Sequence, residues 1–175
     1  ACSDPIRTLT TAADGTVSEM FEPGIYYAAE TDDVHGRFAD EYWLMDETVQ
    51  QFEIKAGQDT AVTFTNTHYG KAKIIKLMPT GGSTAGWGFE VRRVSDNELI
   101  GTFTTGYDGT ITTERLEPGE YIVTEIIPEG SYYKNESSAS QRVTVAAGET
   151  VEVTMTNVLI PGAITIHKVN HEGTP

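Results

Sequence analysis

Cysteine is almost absent: the 175 residues include one, Cys2. No internal disulfide can form, so any covalent reinforcement must be of another kind. Cys2 itself reads as an ordinary thiol. Positive charge is scarce, with 12 Lys and Arg against 26 Asp and Glu and a net charge of −14. That balance argues against nucleic-acid backbones and anionic membrane surfaces as partners. No apolar run is long enough to cross a bilayer, and no signal peptide or sorting motif is visible; this does not locate the protein. No long window has helical apolar spacing. His35, His68, His167 and His171 lack metal-ligand spacing. Asp32-Asp33 and Asp40-Glu41 lack the EF-hand pattern and read as a solvated loop. There is no catalytic carboxylate pair, no nucleophile with a histidine and no phosphate loop. The expectation is therefore no metal, no cofactor and no turnover of an external substrate.

What is present is repetition. Hydrophobic residues make up 38% of the chain, enough for packed cores, and 17 glycines with many Thr and Val point to turns and strands. Glu117-Pro118-Gly119-Glu120-Tyr121-Ile122-Val123-Thr124-Glu125 has an earlier counterpart in Glu22-Pro23-Gly24-Ile25-Tyr26-Tyr27-Ala28-Ala29-Glu30. Pro-Gly marks a tight turn, and the alternation that follows predicts a strand. Tyr121, Val123 and Glu125 then share one face, so a carboxyl group lies on the face of a Tyr and a Val. A buried carboxylate there must be paired or protonated. Asp14-Gly15 and Asp108-Gly109 precede these strands as hairpin-turn signals. Two further predicted hairpins turn at Ala56-Gly57 and Ala147-Gly148, with Gln51 aligned to Gln141. Their second arms place Val62, Phe64 and Asn66, and Val153, Met155 and Asn157, on one face each. Gly70 to Leu77 is echoed by Gly162 to Val169, which aligns Ala72, Ile74 and Lys76 with Ile164, Ile166 and Lys168. Trp87 to Val91 adds another strand.

Short strands and turn signals over about 90 residues predict an all-β fold of tandem β-sandwiches. Residues 1–69 form a domain without its first, lysine-bearing strand. Residues 70–158 form a complete domain. Residues 159–175 are a linker plus another lysine-bearing strand, which either opens a further domain or is donated to another copy.

Lys76, Glu125 and Asn157 occupy inward positions of the complete domain. A buried lysine tends to lose its proton and a buried glutamate to gain one. The neutral amine is a nucleophile, and the protonated carboxyl can polarise the Asn amide and shuttle protons. The expected product is a Lys–Asn amide with loss of ammonia. Orientation in the fold removes roughly 7–11 kcal/mol of barrier. Phe89, Phe103 and Tyr121 are the expected walls of a dry pocket. Lys73, the competing lysine, falls on the outer face by alternation.

These strands resemble the CnaB domains, also called prealbumin-like or SpaA-type, of Gram-positive pilins and adhesins. The shared features are Gly-x-x-x-Ile-x-Lys, Glu-Pro-Gly-x-Tyr-x-x-x-Glu and a terminal Thr-x-Thr-Asn. The resemblance implies transthyretin- or immunoglobulin-like sandwiches, a self-formed isopeptide bond and a structural role at the cell surface. It assigns Lys76 and Asn157 as the bonded pair and Glu125 as catalyst, with Glu30 and Asn66 in the matching roles of the first domain. Residues 31–50 match nothing in the pattern, and the first domain has no lysine in place. Head-to-tail donation of 162–175 would bring Lys168 to Glu30 and Asn66 of another copy. A fragment of a longer tandem array is the other reading of that gap.

The function expected is an extracellular stalk, pilus or filament protein whose partners are other copies of itself. The alternatives are an adhesin module that binds a host or surface ligand through 31–50, and an accessory domain of a large secreted enzyme. Asn135-Glu136-Ser137 matches a glycosylation sequon, a weak signal.

Overall fold

The computed structural model describes residues 5–31, 43–136, 138–169, 171 and 173. Cys2, His35, both acidic pairs and most of the 31–50 insertion lie outside the described residues. The chain divides into two compact units, Ala1–His68 and Tyr69–Pro175. Every described element is a strand.

The first unit holds β1 (Gly24–Ala29), β2 (Trp43–Leu44), β3 (Val49–Ile54) and β4 (Thr67–His68). β1 pairs antiparallel with β3, and β2 with β4. Tyr26 stacks on Phe52 with ring centroids 6.1 Å apart, and Trp43 meets His68 in a tilted contact at 3.7 Å. None of the described residues before Tyr69 is fully buried.

The second unit is a β-sandwich. One sheet has the order β10 (Tyr133–Asn135), β12 (Thr150–Leu159), β5 (Lys71–Leu77), β8 (Thr110–Thr112). The other runs β11 (Ser140–Val145), β9 (Gly119–Ile126), β6 (Gly88–Arg93), β7 (Leu99–Thr104). Period-two alternation sets which side chains meet between the sheets. Ala72 and Ile74 of β5, Phe89 and Val91 of β6, Tyr121 and Val123 of β9, and Val153 and Met155 of β12 form one buried core. β5 and β12, the first and last strands, pair in parallel from Thr150 opposite Lys71 to Thr156 opposite Leu77.

The repeated Glu-Pro-Gly-x-Tyr phrase has a local physical reason. The Tyr121 hydroxyl donates to the Glu117 carbonyl at 2.8 Å, and the Tyr26 hydroxyl to the Glu22 carbonyl at 2.9 Å. Each tyrosine thus closes the Pro-Gly turn that starts its own strand.

The expected hairpins are corrected. β11 pairs with β9, whereas β12 lies between β5 and β10, so the Ala147-Gly148 turn carries the chain from one sheet to the other. Both edges of β12 are occupied, which leaves none for β11. Asp108-Gly109 likewise joins β7 in one sheet to β8 in the other. Residues 60–66 form no ladder with β3. The alignment of the two arches also moves by one residue. Gln50 Nε2 donates to the Thr63 carbonyl at 2.6 Å and Gln141 Nε2 to the Thr154 carbonyl at 2.7 Å, so Gln50, not Gln51, corresponds to Gln141. Residues 162–169 form no strand, and Ile164 and Ile166 are 85% and 82% exposed.

Candidate functional site

Alternation on three strands carries polar side chains into the core of the second unit. Lys76 follows Ala72 and Ile74 on β5, Glu125 follows Tyr121 and Val123 on β9, and Asn157 follows Val153 and Met155 on β12. All three are buried. Lys76 Nζ lies 2.7 Å from Glu125 Oε1. That contact is a close ion pair but poorly aligned, so the fully buried ammonium nitrogen has no well-formed hydrogen bond. Asn157 Nδ2 donates to the same Oε1 at 3.0 Å. One carboxylate oxygen therefore touches both the lysine nitrogen and the Asn amide nitrogen.

Burial pushes the Lys76 pKa below its ordinary value, and the adjacent Glu125 carboxylate only partly opposes this. Desolvation disfavours the charged amine and so favours the nucleophilic form. Trp87 covers it, with Nζ 4.5 Å from the ring centroid. Trp87 is held by its indole N–H on the Ser83 carbonyl at 2.9 Å and by an edge-on contact with Tyr133. Phe89 sits opposite Glu125 in the β6–β9 register and is buried, as is Tyr121, while Phe103 packs against the core from its margin. The wall nearest the lysine is thus Trp87, which sequence reasoning had placed only as the start of a strand. Lys73 points outward and pairs with Glu152 at 2.9 Å.

Sequence reasoning also missed Asn135. On β10, Tyr133 and Asn135 project to the same side, and Tyr133 meets Trp87 while Asn135 enters the cluster. Asn135 Nδ2 donates to Asn157 Oδ1 at 3.0 Å and makes a short contact with Glu125 Oε2. It had entered the reading only as the first residue of a weak glycosylation sequon, whose Ser137 lies outside the described residues. The usable signal was a polar side chain two positions from an aromatic on a short strand.

In the first unit, Asn66 Nδ2 donates to Glu30 Oε1 at 2.7 Å. Asn66 Oδ1 accepts from the Asp46 backbone N–H at 2.8 Å. Glu30 Oε2 is buried without a hydrogen-bond partner. Residues 1–69 contain one lysine, Lys55, and it pairs with Glu53 at 3.4 Å. The acceptor and the carboxylate are together here, and the position that Lys76 fills in the second unit is not taken by Lys55. Lys168 is exposed on the extended segment after β12. No group of three or more His, Cys, Asp or Glu suited to a metal occurs among the described residues.

The family model described as the SpaA prealbumin-like fold domain matches residues 70–159. The chain belongs to this family. Lys76, Glu125, Asn135 and Asn157 all lie within the matched span. Three solved structures are similar to the chain. A minor pilin of Streptococcus agalactiae is 21% identical, with a TM-score of 0.46, over 70% of this chain and 64% of its own. The Bacillus anthracis TIE protein is 23% identical, with a TM-score of 0.45, over 65% of this chain and 21% of its own. The shaft pilin SpaA of Lactobacillus rhamnosus GG, as a D295N mutant, is 19% identical, with a TM-score of 0.41, over 52% of this chain and 48% of its own. The match thus spans less than two thirds of each of these chains. No curated protein matches the chain.

Proposed function

We propose that this protein is a structural part of an extracellular stalk or pilus-like filament at a Gram-positive cell surface. Its SpaA-type domain locks itself with an amide between Lys76 and Asn157. The observation that carries this reading is the single oxygen, Glu125 Oε1, that touches both Lys76 Nζ and Asn157 Nδ2 in a fully buried cluster. The reaction needs an amine relieved of its charge, an amide held beside it and a group that moves protons between the two nitrogens. The bond serves the fold rather than an external substrate. It joins the first and last strands of the unit, which are parallel neighbours. Tension entering at β5 then leaves through β12 without unzipping the sheets between.

The first unit is read as the acceptor for a lysine strand. Glu30 and Asn66 hold the same mutual contact, and Glu30 Oε2 lacks a partner. The 162–175 segment of another copy supplies Ile164 and Ile166 for the open core and Lys168 for the carboxylate. Added this way, strands from successive copies link head to tail.

Intact mass tests the first part. Folded protein should be one ammonia lighter than its sequence, and Glu125→Ala should restore the full sequence mass. A wild-type chain at full mass would refute the self-locking reading.

A further inference from the structure

Asn135 has no counterpart in the repeat that pointed to Lys76, Glu125 and Asn157. We propose that it is a fourth catalytic residue, the donor that holds the Asn157 carbonyl oxygen as charge builds on it. The inference rests on the reading that Lys76 and Asn157 join, and adds how the electrophile is activated.

The assignment follows from what each oxygen touches. Glu125 Oε1 faces the two nitrogens, Lys76 Nζ and Asn157 Nδ2, and Asn157 Nδ2 donates to it. Glu125 is therefore placed to move protons between nitrogens. The Asn157 oxygen faces elsewhere and accepts from Asn135 Nδ2 at 3.0 Å; the same amide also donates to Glu125 Oε2, the carboxylate oxygen turned away from the two nitrogens. A fixed N–H aimed at a developing oxyanion in a dry site is worth far more than in water. Asn135 is itself fixed, because β10 pairs with β12 in the register that sets Asn135 opposite Asn157.

The first unit gives independent support. There too a donor from the stretch after the Glu strand, here between β1 and β3, meets the Asn carbonyl. It is the backbone N–H of Asp46, 2.8 Å from Asn66 Oδ1. The Asp46 carboxylate in turn accepts from Thr48 and Thr65, which anchors that N–H. The two stretches share no sequence match, and the donor is an amide side chain in one and main chain in the other. What they share is a polar hydrogen on the oxygen of the amide to be attacked.

The step balances as follows. Glu125 takes a proton from the Lys76 ammonium, and the neutral Nζ adds to Asn157 Cγ. The carbonyl electron pair moves to Oδ1, where the Asn135 N–H holds it. The carbon–Nδ2 bond then breaks, and the nitrogen leaves as ammonia. Two protons leave Nζ in all: one reaches Nδ2 and the other ends on Glu125.

The test follows bond formation in the full chain, recovered unfolded in denaturant, refolded and sampled by intact mass over time. Asn135→Ala should slow the loss of ammonia by about 10²–10³-fold, the effect of removing one oxyanion donor. Asn135 Nδ2 also donates to Glu125 Oε2, so each protein is compared at its own pH optimum, where the slowing should persist. An unchanged rate in folded Asn135→Ala overturns the proposal. A rate that returns to the wild-type value at a shifted pH also overturns it, since Asn135 would then act only through the ionisation of Glu125. If Asn135→Ala does not fold, a crystal structure of the bonded wild-type protein decides. Asn157 Oδ1 within about 3.2 Å of Asn135 Nδ2 supports the role, and a separation beyond about 3.5 Å removes it. Wild type that loses no ammonia at all overturns the isopeptide reading beneath it as well.

Discussion

A lysine in a protein core carries a desolvation cost. Lys76 sits beside Glu125 without a well-formed hydrogen bond, and burial depresses its pKa. In a chain held in that state, as by Asn157→Ala, the folded protein binds fewer protons at Lys76 than the unfolded one. This holds between the depressed folded value and the free-lysine value of 10.5. Stability should therefore rise with pH through that window, and the rise should vanish when Lys76→Met is added. Urea midpoints across the alkaline range measure it; a flat profile in the single variant would contradict the burial argument. Glu125→Ala should be the more damaging change, since it prevents the bond and leaves a buried ammonium unpaired, at a cost of about 3–5 kcal/mol. The inward placement of Lys76, Glu125 and Asn157 was legible in the sequence because each lies at an alternate position on a strand whose other inward residues are apolar. Asn135 was not, because β10 has three residues and gives alternation too little length to show. Trp87 escaped for a related reason: it lies just outside β6, on a loop whose course is set by Thr105 and Ser83 rather than by a periodic pattern.

At the level of strands, the sequence indicated where β1, β3, β5, β6, β9, β11 and β12 lie but not which neighbours they take, and it also suggested strands at 60–66 and 162–169 that do not form. Asp-Gly and Ala-Gly were read as hairpin turns because they sit between two alternating runs. In the sandwich the same turns are arches between sheets, and what excludes the hairpin is long-range. The parallel β5–β12 ladder and β10 occupy both edges of β12. No local signal reports that a distant strand has taken an edge. The docking of β5 against the arch also explains Gly70. A Cβ there would stand 2.4 Å from Val145 Cγ1 and 2.5 Å from the Ala146 carbonyl. Gly70 also exchanges backbone hydrogen bonds with Leu116 at 2.8 and 2.9 Å, so it cannot retreat without breaking them. Gly70→Ala should lower stability by about 1–3 kcal/mol, the range for overpacking. Thermal melts in the Lys76→Ala background, where no cross-link masks the loss, are the measurement; an unchanged midpoint would mean that the strand start yields more easily than this contact implies.

For the whole molecule, the two units differ in one respect that matters for assembly. The second has its lysine, carboxylate and amide together, whereas the first has carboxylate and amide with a buried oxygen, Glu30 Oε2, lacking a partner. An unpaired buried acceptor costs on the order of 1–3 kcal/mol, so any strand that brings a lysine amine to it is favoured by that amount before apolar contacts are counted. The 162–169 segment repeats the β5 pattern, yet in a single chain its Ile164 and Ile166 stand almost fully exposed. Seating it in the first unit of a second copy would bury both isoleucines and set Lys168 against Glu30. It would also permit a Lys168–Asn66 amide with loss of another ammonia. The net charge of −14 opposes close approach of copies at low salt, so assembly should speed up as salt rises. In boiling detergent, concentrated protein should give a ladder of multimers, each junction lighter by one ammonia. Lys168→Ala and Asn66→Ala should each reduce that ladder to monomer while the second unit still loses its own ammonia. A wild-type sample that stays monomeric at high concentration and high salt would leave the first unit's lysine to come from a different strand, and would end the case for a covalent chain of copies.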